Sequence, residues 1–369
     1  MHIRPFQAVY PNMDYITSAD SFFRTVKEDY PEFRKSGFFN KSSQEGFYLY
    51  QIRKPFRTYN GLIACSEVGD FLSGHIKEHE HTMPDKEQRQ MHLLLHRNAM
   101  VKPILLTYPR VASIETFMEN YTKNETPFLE VNFEAEQEHH FLWEVTEGKE
   151  IQQLKELFDK HVKNAYIADG HHRSSTMAHM HQRTKNPGKA RSYDQMLTAF
   201  FSTAELEILE YNRIVEGLSD TSLTNFMARL SQVADIEVLE GPAKPSAARE
   251  IVMYINKEWF LLKWKPSIIE KYLEEPILLD VSILNHEILE DIIGIRDIRT
   301  DERLRYVEGP KKLEDLKDRV LKNEYRIGFI LFPIQMEDFL NIADTGNVLP
   351  PKSTWFEPRM RNGLIAQEF

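Results

Sequence analysis

Residues 165–183 constrain the fold of this chain more than any other segment. Residues 165–168 are all apolar, as expected for a buried strand. Residues 174–183 follow a helix-like pattern, and a turn that contains a glycine joins the two runs. The segment therefore predicts a strand that leads directly into a helix, and a fold that contains both kinds of element.

The turn carries five residues that suit ligand binding, Asp169, Gly170, His171, His172 and Arg173. A helix N-terminus offers unpaired N–H groups and the positive end of the helix dipole, so anions bind well there. Asp169 can cap the helix, Gly170 lets a ligand approach the backbone, and Arg173 can hold phosphate or carboxylate with two parallel hydrogen bonds. A capped helix with surface histidines is the plainer interpretation. Because three further ionisable side chains crowd the turn, we favour a site.

Charge and cysteine content exclude several classes of function. The 369 residues carry a formal net charge of −10, which argues against a protein that mainly grips nucleic acid or an anionic membrane. Cys65 is the only cysteine, so an intrachain disulfide and a thiolate-rich zinc or iron–sulfur site are excluded. Residues 1–6 lack a signal-peptide core, and no window approaches 18 uninterrupted apolar residues. We expect a soluble cytoplasmic protein without a membrane partner.

The order of helix and strand signals predicts an α+β fold with a mixed sheet core and flanking helices. Strands are expected near residues 46–56, 61–68, 102–107, 127–133, 140–145 and 194–201, and helices near 19–33, 85–98, 113–121 and 149–162. Asp85 with Gln88 looks like a capping box at the start of the second helix. Turn composition around residues 217–220 suggests three segments: a core at 1–217, a second α/β region at 218–345, and a C-terminal segment at 346–369.

A histidine-rich segment at residues 74–82 is the second candidate site. It holds three imidazoles, two carboxylates and Lys77 within nine residues. His79 and His81 can bind a metal from one face of an extended segment, while Glu80 can act as a general base. The zinc-protease spacing is absent, and nearby histidines without a fixed spacing are a weak metal signal.

The predicted helix at residues 85–98 has a basic face. Arg89, His92 and His96 fall near one side, opposite an apolar side. An amphipathic surface helix would show the same pattern. Because this helix follows the histidine-rich segment, we favour an interpretation in which the basic face borders a cleft and Arg89 binds phosphate.

A phosphate-loop-like sequence stands near the C-terminus, at residues 346–354. Pro351 replaces the second glycine of a Walker A motif and removes a backbone N–H, so a P-loop is rejected. Lys352 with Ser353 and Thr354 can still contact phosphate from a loop. We expect these residues to fold back against Asp169, since the following Trp355 is too apolar to stay in water. The alternative is a structural plug with Lys352 facing solvent.

Several spaced motifs resemble the bacterial and archaeal domain-of-unknown-function family 1015. They span nearly the whole chain and lie at residues 3–6, 74–98, 167–173 and 351–356, with Pro358 and residues 363–364. One departure is residues 11–16, where the family usually reads closer to Pro-Pro-Tyr-Asp-Val-Ile. The resemblance implies a core similar to the ParB/sulfiredoxin-like superfamily.

The same resemblance implies a chemistry. Free-serine kinases, distantly similar to this family, use a catalytic glutamate and an Asp-Gly-His-His-type motif to move phosphate between a nucleotide and serine. Glu80 with residues 169–173 is similar to that pair. We therefore predict Glu80, His79 and Asp169 as catalytic residues, with Asp169 also holding a metal ion. The expected phosphate- or nucleotide-binding residues are Lys77, Arg89, Gly170, His171, His172, Arg173, Lys352, Ser353 and Thr354.

The leading hypothesis is a phosphotransferase that uses free serine or phosphoserine, ADP or ATP, and Mg²⁺, in either direction. A phosphoserine phosphatase would use the same site with water as acceptor. A third reading is a nucleotide-dependent binding switch, as ParB proteins use CTP. The acidic balance and the lack of a recognisable helix-turn-helix weigh against nucleic acid as the partner. A homodimer is left open.

Overall fold

The chain divides into two units, here called unit 1 (Met1–Glu207 with Pro358–Phe369) and unit 2 (Ile208–Glu357). The computed structural model describes residues 1–184, 193–218, 222–322 and 326–369. The expected boundary at 217–220 lies partly outside the described residues, and the three segments proposed from the sequence stay a prediction. None of the described helices is both long and apolar enough to cross a membrane.

Unit 1 is built on a nine-stranded mixed sheet. The strands of this unit up to residue 207 are β1 Ile3–Arg4, β2 Val9–Pro11, β3 Phe39–Lys41, β4 Phe47–Lys54, β5 Arg57–Glu67, β6 Ile76–Lys77, β7 Ala99–Met100, β8 Ile104–Tyr108, β9 Leu129–Phe133, β10 Glu138–Val145, β11 Ala165–Asp169 and β12 Gln195–Ser202. The sheet order is β6-β11-β8-β12-β5-β4-β10-β9, with β1 beside β5, and β2 pairs with β3 separately. Strands β11 and β6 run parallel, as do β12 and β8, whereas β11 and β8 are antiparallel.

The helices of unit 1 are α1 Ala19–Lys35, α2 Val68–Leu72, α3 Pro84–Arg97, α4 Ala112–Asn124, α5 Gly148–His161 and α6 His171–Thr184. Ser18 caps α1 by accepting a hydrogen bond from the backbone N–H of Ser21. Helix α3 begins as expected at Pro84, but its N-cap Met83 makes no side-chain hydrogen bond. The predicted capping box is therefore wrong, because Asp85 lies inside the first turn rather than at the cap. Asn98 ends α3 in the left-handed conformation, which asparagine tolerates.

Unit 2 has its own seven-stranded sheet. Its strands are β13 Glu207–Glu216, β14 Ala234–Leu239, β15 Glu250–Ile255, β16 Glu258–Trp264, β17 Leu304–Glu308, β18 Arg326–Leu331 and β19 Thr354–Glu357. Its helices are α7 Leu223–Val233, α8 Pro266–Glu270, α9 Asp280–Ile283, a π-helix at Leu284–Glu290, α10 Leu313–Leu321 and α11 Met336–Asp344. Val252 and Ile330 of the sheet share a buried cluster with Leu316 and Val320 of α10. The unit therefore has an apolar core of its own.

The last residues of the chain belong to unit 1. Strand β20, Gln367–Glu368, pairs with β7, and the backbone of Ala366 bonds to Val9. Gly363 donates its N–H to the carbonyl of Val101. Mixed helices and sheets in both units confirm the α+β prediction, while the ParB/sulfiredoxin-like label stays a prediction.

Candidate functional site

The predicted strand, turn and helix at residues 165–183 are present as β11 and α6, joined by Gly170. Gly170 has a φ of +117°, and a Cβ on this residue would lie 2.7 Å from Nη2 of Arg173. Only glycine fits both conditions. The Gly170 carbonyl accepts hydrogen bonds from the N–H groups of Arg173 and Ser174 at 2.8 and 3.0 Å, so it starts the helix. The turn thereby brings Arg173 back over the end of β11.

Asp169, the last residue of β11, stands among three cations. Its Oδ2 accepts hydrogen bonds from Lys102 Nζ at 2.9 Å and Arg173 Nη2 at 3.2 Å, and Arg359 Nη1 lies 3.5 Å from Oδ1. Burial raises the pKa of Asp169, but the charges of Lys102, Arg173 and Arg359 outweigh it and hold the pKa well below its usual range. Three positive charges around one negative charge leave a positive surplus, which favours an anionic ligand.

The charges around Asp169 bear on two roles expected from the sequence, capping of α6 and binding of a metal ion. Its carboxylate accepts hydrogen bonds from the side chains of Lys102 and Arg173, while the Gly170 carbonyl starts the helix. Three cations within 3.5 Å also disfavour a magnesium ion there, because Mg²⁺ needs uncommitted oxygen ligands. Asp169 is therefore not proposed as a metal ligand.

His79, Glu80 and His171 form a compact group next to the Gly170 turn. Each offers one ligand atom, and these atoms lie within 4.8 Å of one another. The His79 and His171 rings meet edge to face at 4.4 Å between centroids, and the His79 backbone N–H lies 3.5 Å from His171 Nε2. The Ile167 carbonyl of β11 hydrogen-bonds His79. The end of β11 and the start of α6 therefore hold both imidazoles beside Glu80.

Both imidazoles are neutral near pH 7. Burial lowers the pKa of His79 to about 4, even though its bond to the Ile167 carbonyl opposes this. Burial, and then the neighbouring His79, lower the pKa of His171 well below its usual range. Two neutral imidazoles and one carboxylate are a donor set that suits zinc or a similar transition-metal ion better than magnesium.

The sequence suggested His79 with His81 as a metal-binding pair, whereas the structure brings His79 close to His171. His79 is buried, whereas His81 is exposed, and the partner of His79 in the compact group is His171. Alternate residues share a face only while the chain stays extended, and β6 already ends at Lys77. Lys77 itself lies opposite Tyr166 of β11, on the edge strand of the sheet. Its predicted phosphate contact stays a prediction.

Helix α3 borders a cavity, but with a different face from the expected one. The cavity has a volume of about 190 Å³, and α3 contributes Gln90, Leu94 and Arg97 to its lining. These three positions are spaced by four and three residues and so share one side of the helix. Arg89 is exposed, as are His92 and His96. Arg89 therefore stays a candidate for phosphate binding only as a surface residue.

His172, the second residue of α6, is half-buried. Burial is the main cause that lowers its pKa, and the charge of Lys86 lowers the pKa further. Glu87 of α3 links α3 to the neighbouring part of α6 by two hydrogen bonds. Its carboxylate accepts one from Ser175 Oγ at 2.5 Å, and its backbone carbonyl accepts one from Thr176 Oγ1 at 3.4 Å.

The predicted loop Lys352, Ser353 and Thr354 lies in unit 2. Lys352 is exposed, has a φ of +56°, and holds its Nζ 5.2 Å from the centre of the Tyr211 ring. Ser353 Oγ donates to the Pro350 carbonyl at 2.6 Å, and Thr354 begins β19. The phosphate role of this loop, and its predicted contact with Asp169, stay predictions.

Sequence reasoning missed four cations. Lys102 and Arg359 contact Asp169, while Lys27 and Arg97 line the cavity together with Lys102 and Arg173. Lys102 gave a weak signal, since it stands two residues before the apolar strand β8. Nothing local marks Lys27, Arg97 or Arg359, because only the tertiary fold brings them to the site.

Comparison with family models gives one match, described as "Protein of unknown function (DUF1015)", over residues 8–282. No curated protein sequence matches the chain. Among solved structures, free serine kinase in complex with AMP has 13% identity and a TM-score of 0.38, covering 82% of this chain and 92% of that one. A mutant of free serine kinase in complex with ADP has 14% identity, a TM-score of 0.38 and the same coverage. C-terminally truncated SbnI from Staphylococcus aureus has 11% identity and a TM-score of 0.41, covering 81% and 85%.

Proposed function

The chain belongs to the DUF1015 family of proteins of unknown function, and we propose that it transfers a phosphoryl group between a nucleotide and a small hydroxyl compound. The residues of the chain itself support this proposal. The substrates proposed are ADP or ATP and free serine or phosphoserine, as the motif resemblance implies. The site proposed is the end of β11 and the start of α6 in unit 1.

One observation carries this proposal: a cation-rich cluster and a carboxylate near two neutral imidazoles both lie at the Gly170 turn. Lys102 and Arg173 contact Asp169, the residue before Gly170, and Glu80 lies near His171, the residue after it. Phosphoryl transfer needs positioning and charge neutralisation more than covalent catalysis. It also needs a group that takes the proton from the attacking hydroxyl, and a carboxylate is suited to this.

The proposed roles follow from these positions. Glu80 accepts the proton of the acceptor hydroxyl as the new oxygen–phosphorus bond forms and the bond to the bridging oxygen of the nucleotide breaks. His79 and His171 orient Glu80. Lys102 and Arg173 face the oxygens of the transferred phosphoryl group, together with Arg359.

Asp169 is proposed as a positioning residue in this scheme, because its carboxylate gathers the three cations within 3.5 Å. Gly170 leaves room for the Arg173 guanidinium beside the turn. The first N–H groups of α6, at His171 and His172, are proposed to bind phosphate oxygens. The reverse reaction uses the same groups, with protonated Glu80 as the acid.

A second function, hydrolysis of the same phosphoester, is favoured by the composition of the compact group. Two neutral imidazoles and a carboxylate can hold a transition-metal ion, and zinc lowers the pKa of its bound water to about 7. Water would then replace the nucleotide as acceptor. Transfer and hydrolysis give different products, so one assay separates them.

The assay incubates the purified full chain with phosphoserine and ADP and follows serine, ATP and free phosphate separately. Parallel reactions contain Mg²⁺, Zn²⁺ or a chelator. ATP formed in step with serine supports phosphoryl transfer, whereas free phosphate without ATP supports hydrolysis. If serine with ATP in the reverse reaction also gives no product, the proposed substrates are wrong.

Glu80→Gln tests the proton acceptor, because it keeps the shape of the side chain and removes the base. We expect turnover to fall by roughly 10²- to 10⁴-fold, while nucleotide binding persists. The matched control is Glu119→Gln, a change of an exposed glutamate on α4, which should leave turnover unchanged. Full turnover in Glu80→Gln would remove Glu80 from the mechanism.

A further inference from the structure

The cavity in unit 1 is lined by more cations than the reacting phosphoryl group alone requires. Lys27 of α1, Arg97 at the end of α3, Lys102 and Arg173 all contribute to its wall. Lys102 and Arg173 have Asp169 as a counter-ion, and Lys27 lies 3.6 Å from Glu28, whose charge also acts on Arg97. The cavity therefore has a positive lining that extends from the Asp169 cluster toward α1 and α3.

Arg97 gives the clearest sign of a missing ligand. Its Nε and Nη2 are buried and have no hydrogen-bond partner within the described residues, and Nε of Arg173 is in the same condition. Buried donors are nearly always paired in folded proteins, and an unpaired charged donor is costly. Both arginines line the same cavity, so an acceptor bound there would satisfy them together.

The size of the cavity limits what this acceptor is. Its volume is about 190 Å³. Pockets that enclose a whole drug-sized ligand usually measure about 300–1,000 Å³. The cavity therefore suits one anionic part of a larger molecule.

We propose that this cavity binds a phosphate group of the nucleotide that is not transferred, with Arg97 as its main contact and Lys27 beside it. This inference rests on the proposed function, since it places the second phosphate of the donor. Lys102 and Arg173 line the cavity and also contact Asp169, so they lie between the two phosphate positions. A ligand with two linked phosphates would occupy both positions, whereas a single phosphate would occupy one.

Calorimetric titration of the full chain with inorganic pyrophosphate and with inorganic phosphate tests this inference without any catalysis. The wild-type protein should bind pyrophosphate more tightly than phosphate. In Arg97→Met the affinity for pyrophosphate should fall by about 10- to 100-fold, because a charge-assisted contact is lost. Phosphate should still bind at the Asp169 cluster. The matched control is Arg24→Met, which removes an exposed cation of α1.

Stability and a second variant keep the test decisive. Without ligand, Arg97→Met should melt at the same temperature as the wild type or higher, since it removes a buried charge without a hydrogen-bond partner at two of its nitrogens. If Arg97→Met does not fold, Lys27→Met should show a smaller loss of pyrophosphate affinity in the same titration. An unchanged preference for pyrophosphate in the folded variants would overturn the inference, as would a wild-type protein that binds neither anion.

The outcome separates this inference from the proposed function. If pyrophosphate binding depends on Arg97 but no phosphoryl transfer is found, the anion site stands and the reaction is wrong. If transfer occurs and Arg97→Met keeps the wild-type affinity for pyrophosphate, the reaction stands and the assignment of this cavity is wrong.

Discussion

Unit 1 contains two carboxylates with similar partners and different surroundings. Asp169 is paired with Lys102 and with Arg359, and Glu138 is paired with Lys54 and with Arg361. In both, one lysine comes from the sheet region and one arginine comes from the C-terminal residues. Only the Asp169 cluster is a candidate site, because the surroundings of the two carboxylates differ.

Glu138 is closed off from solvent. Its side chain is 11% exposed, and His140 Nε2 lies 3.2 Å from its Oε2. Behind His140, the Tyr50 hydroxyl lies 2.6 Å from Nδ1, and the Arg361 guanidinium stacks on Phe133 at 4.2 Å.

Asp169 differs in exposure and in the position of its cations. Its side chain is 25% exposed, and two of its three cations also line the cavity. The Glu138 cluster is a structural ion network, because Arg361 also pairs with Glu136 and stacks on Phe133. In the Asp169 cluster, Lys102 and Arg173 also line the cavity, so positive charge remains available to a ligand. Both clusters join a carboxylate to lysine and arginine, so the exposure of the carboxylate and the direction of the surplus charge are what distinguish them.

The largest expected effect is on stability at the closed cluster. Glu138→Gln should lower the free energy of unfolding by about 3 kcal/mol, because Lys54 and Arg361 are partly buried and both lose their ion pair with Glu138, while Arg361 keeps only the half-exposed Glu136. Asp169→Asn should lower the free energy of unfolding by less than half as much, since the cations around Asp169 are in contact with solvent or the cavity. Amide hydrogen exchange of strand β10 in urea measures both. The reverse order would show that the Asp169 cluster is the structural one.

The two C-terminal arginines should separate stability from binding. Arg361→Met should lower the free energy of unfolding by about 2 kcal/mol with little effect on phosphate affinity, because its partner Glu138 is closed off. Arg359→Met should weaken phosphate binding by about tenfold and change stability by less than about 1 kcal/mol. Chemical denaturation and calorimetric phosphate titration of both variants measure the contrast. Equal effects on binding would erase the proposed difference between the clusters.

The smallest expected effect is on the acid side of the stability curve. Burial raises the pKa of Glu138, but its partners His140, Lys54 and Arg361 outweigh it and hold the pKa well below its usual range. The ionised carboxylate therefore stabilises the fold above the unfolded pKa near 4.5, and this contribution is lost as the pH falls toward the folded value.

Glu138→Gln, less stable at pH 7, should accordingly lose less stability than the wild type between pH 5 and pH 3. Melting temperatures across this range measure the difference in slope, with Glu119→Gln as the exposed control. An equally steep fall in Glu138→Gln would show that other carboxylates set the acid sensitivity.

Local patterns in the sequence predicted the elements of the site but not its full set of side chains. The strand, glycine turn and helix around Gly170 were predictable because each depends on neighbouring residues. The pairing of β11 with β8, which begins two residues after Lys102, is a long-range contact and left no local pattern. The approach of Arg359 to Asp169 and the proximity of Glu80 to His171 are also long-range and left no local pattern.

One feature of the fold has a consequence for synthesis of the chain. Unit 2 interrupts the sequence of unit 1, and Arg359 and Arg361 follow it. At about 5–20 residues per second, a ribosome spends roughly 8 to 30 s on unit 2 before it reaches them. During that interval the nascent unit 1 has Asp169 and Glu138 but neither arginine, and strand β7 has no β20 beside it. A polypeptide that terminates early, anywhere within unit 2, therefore lacks both ion pairs, so translation has to pass unit 2 before the proposed site is complete.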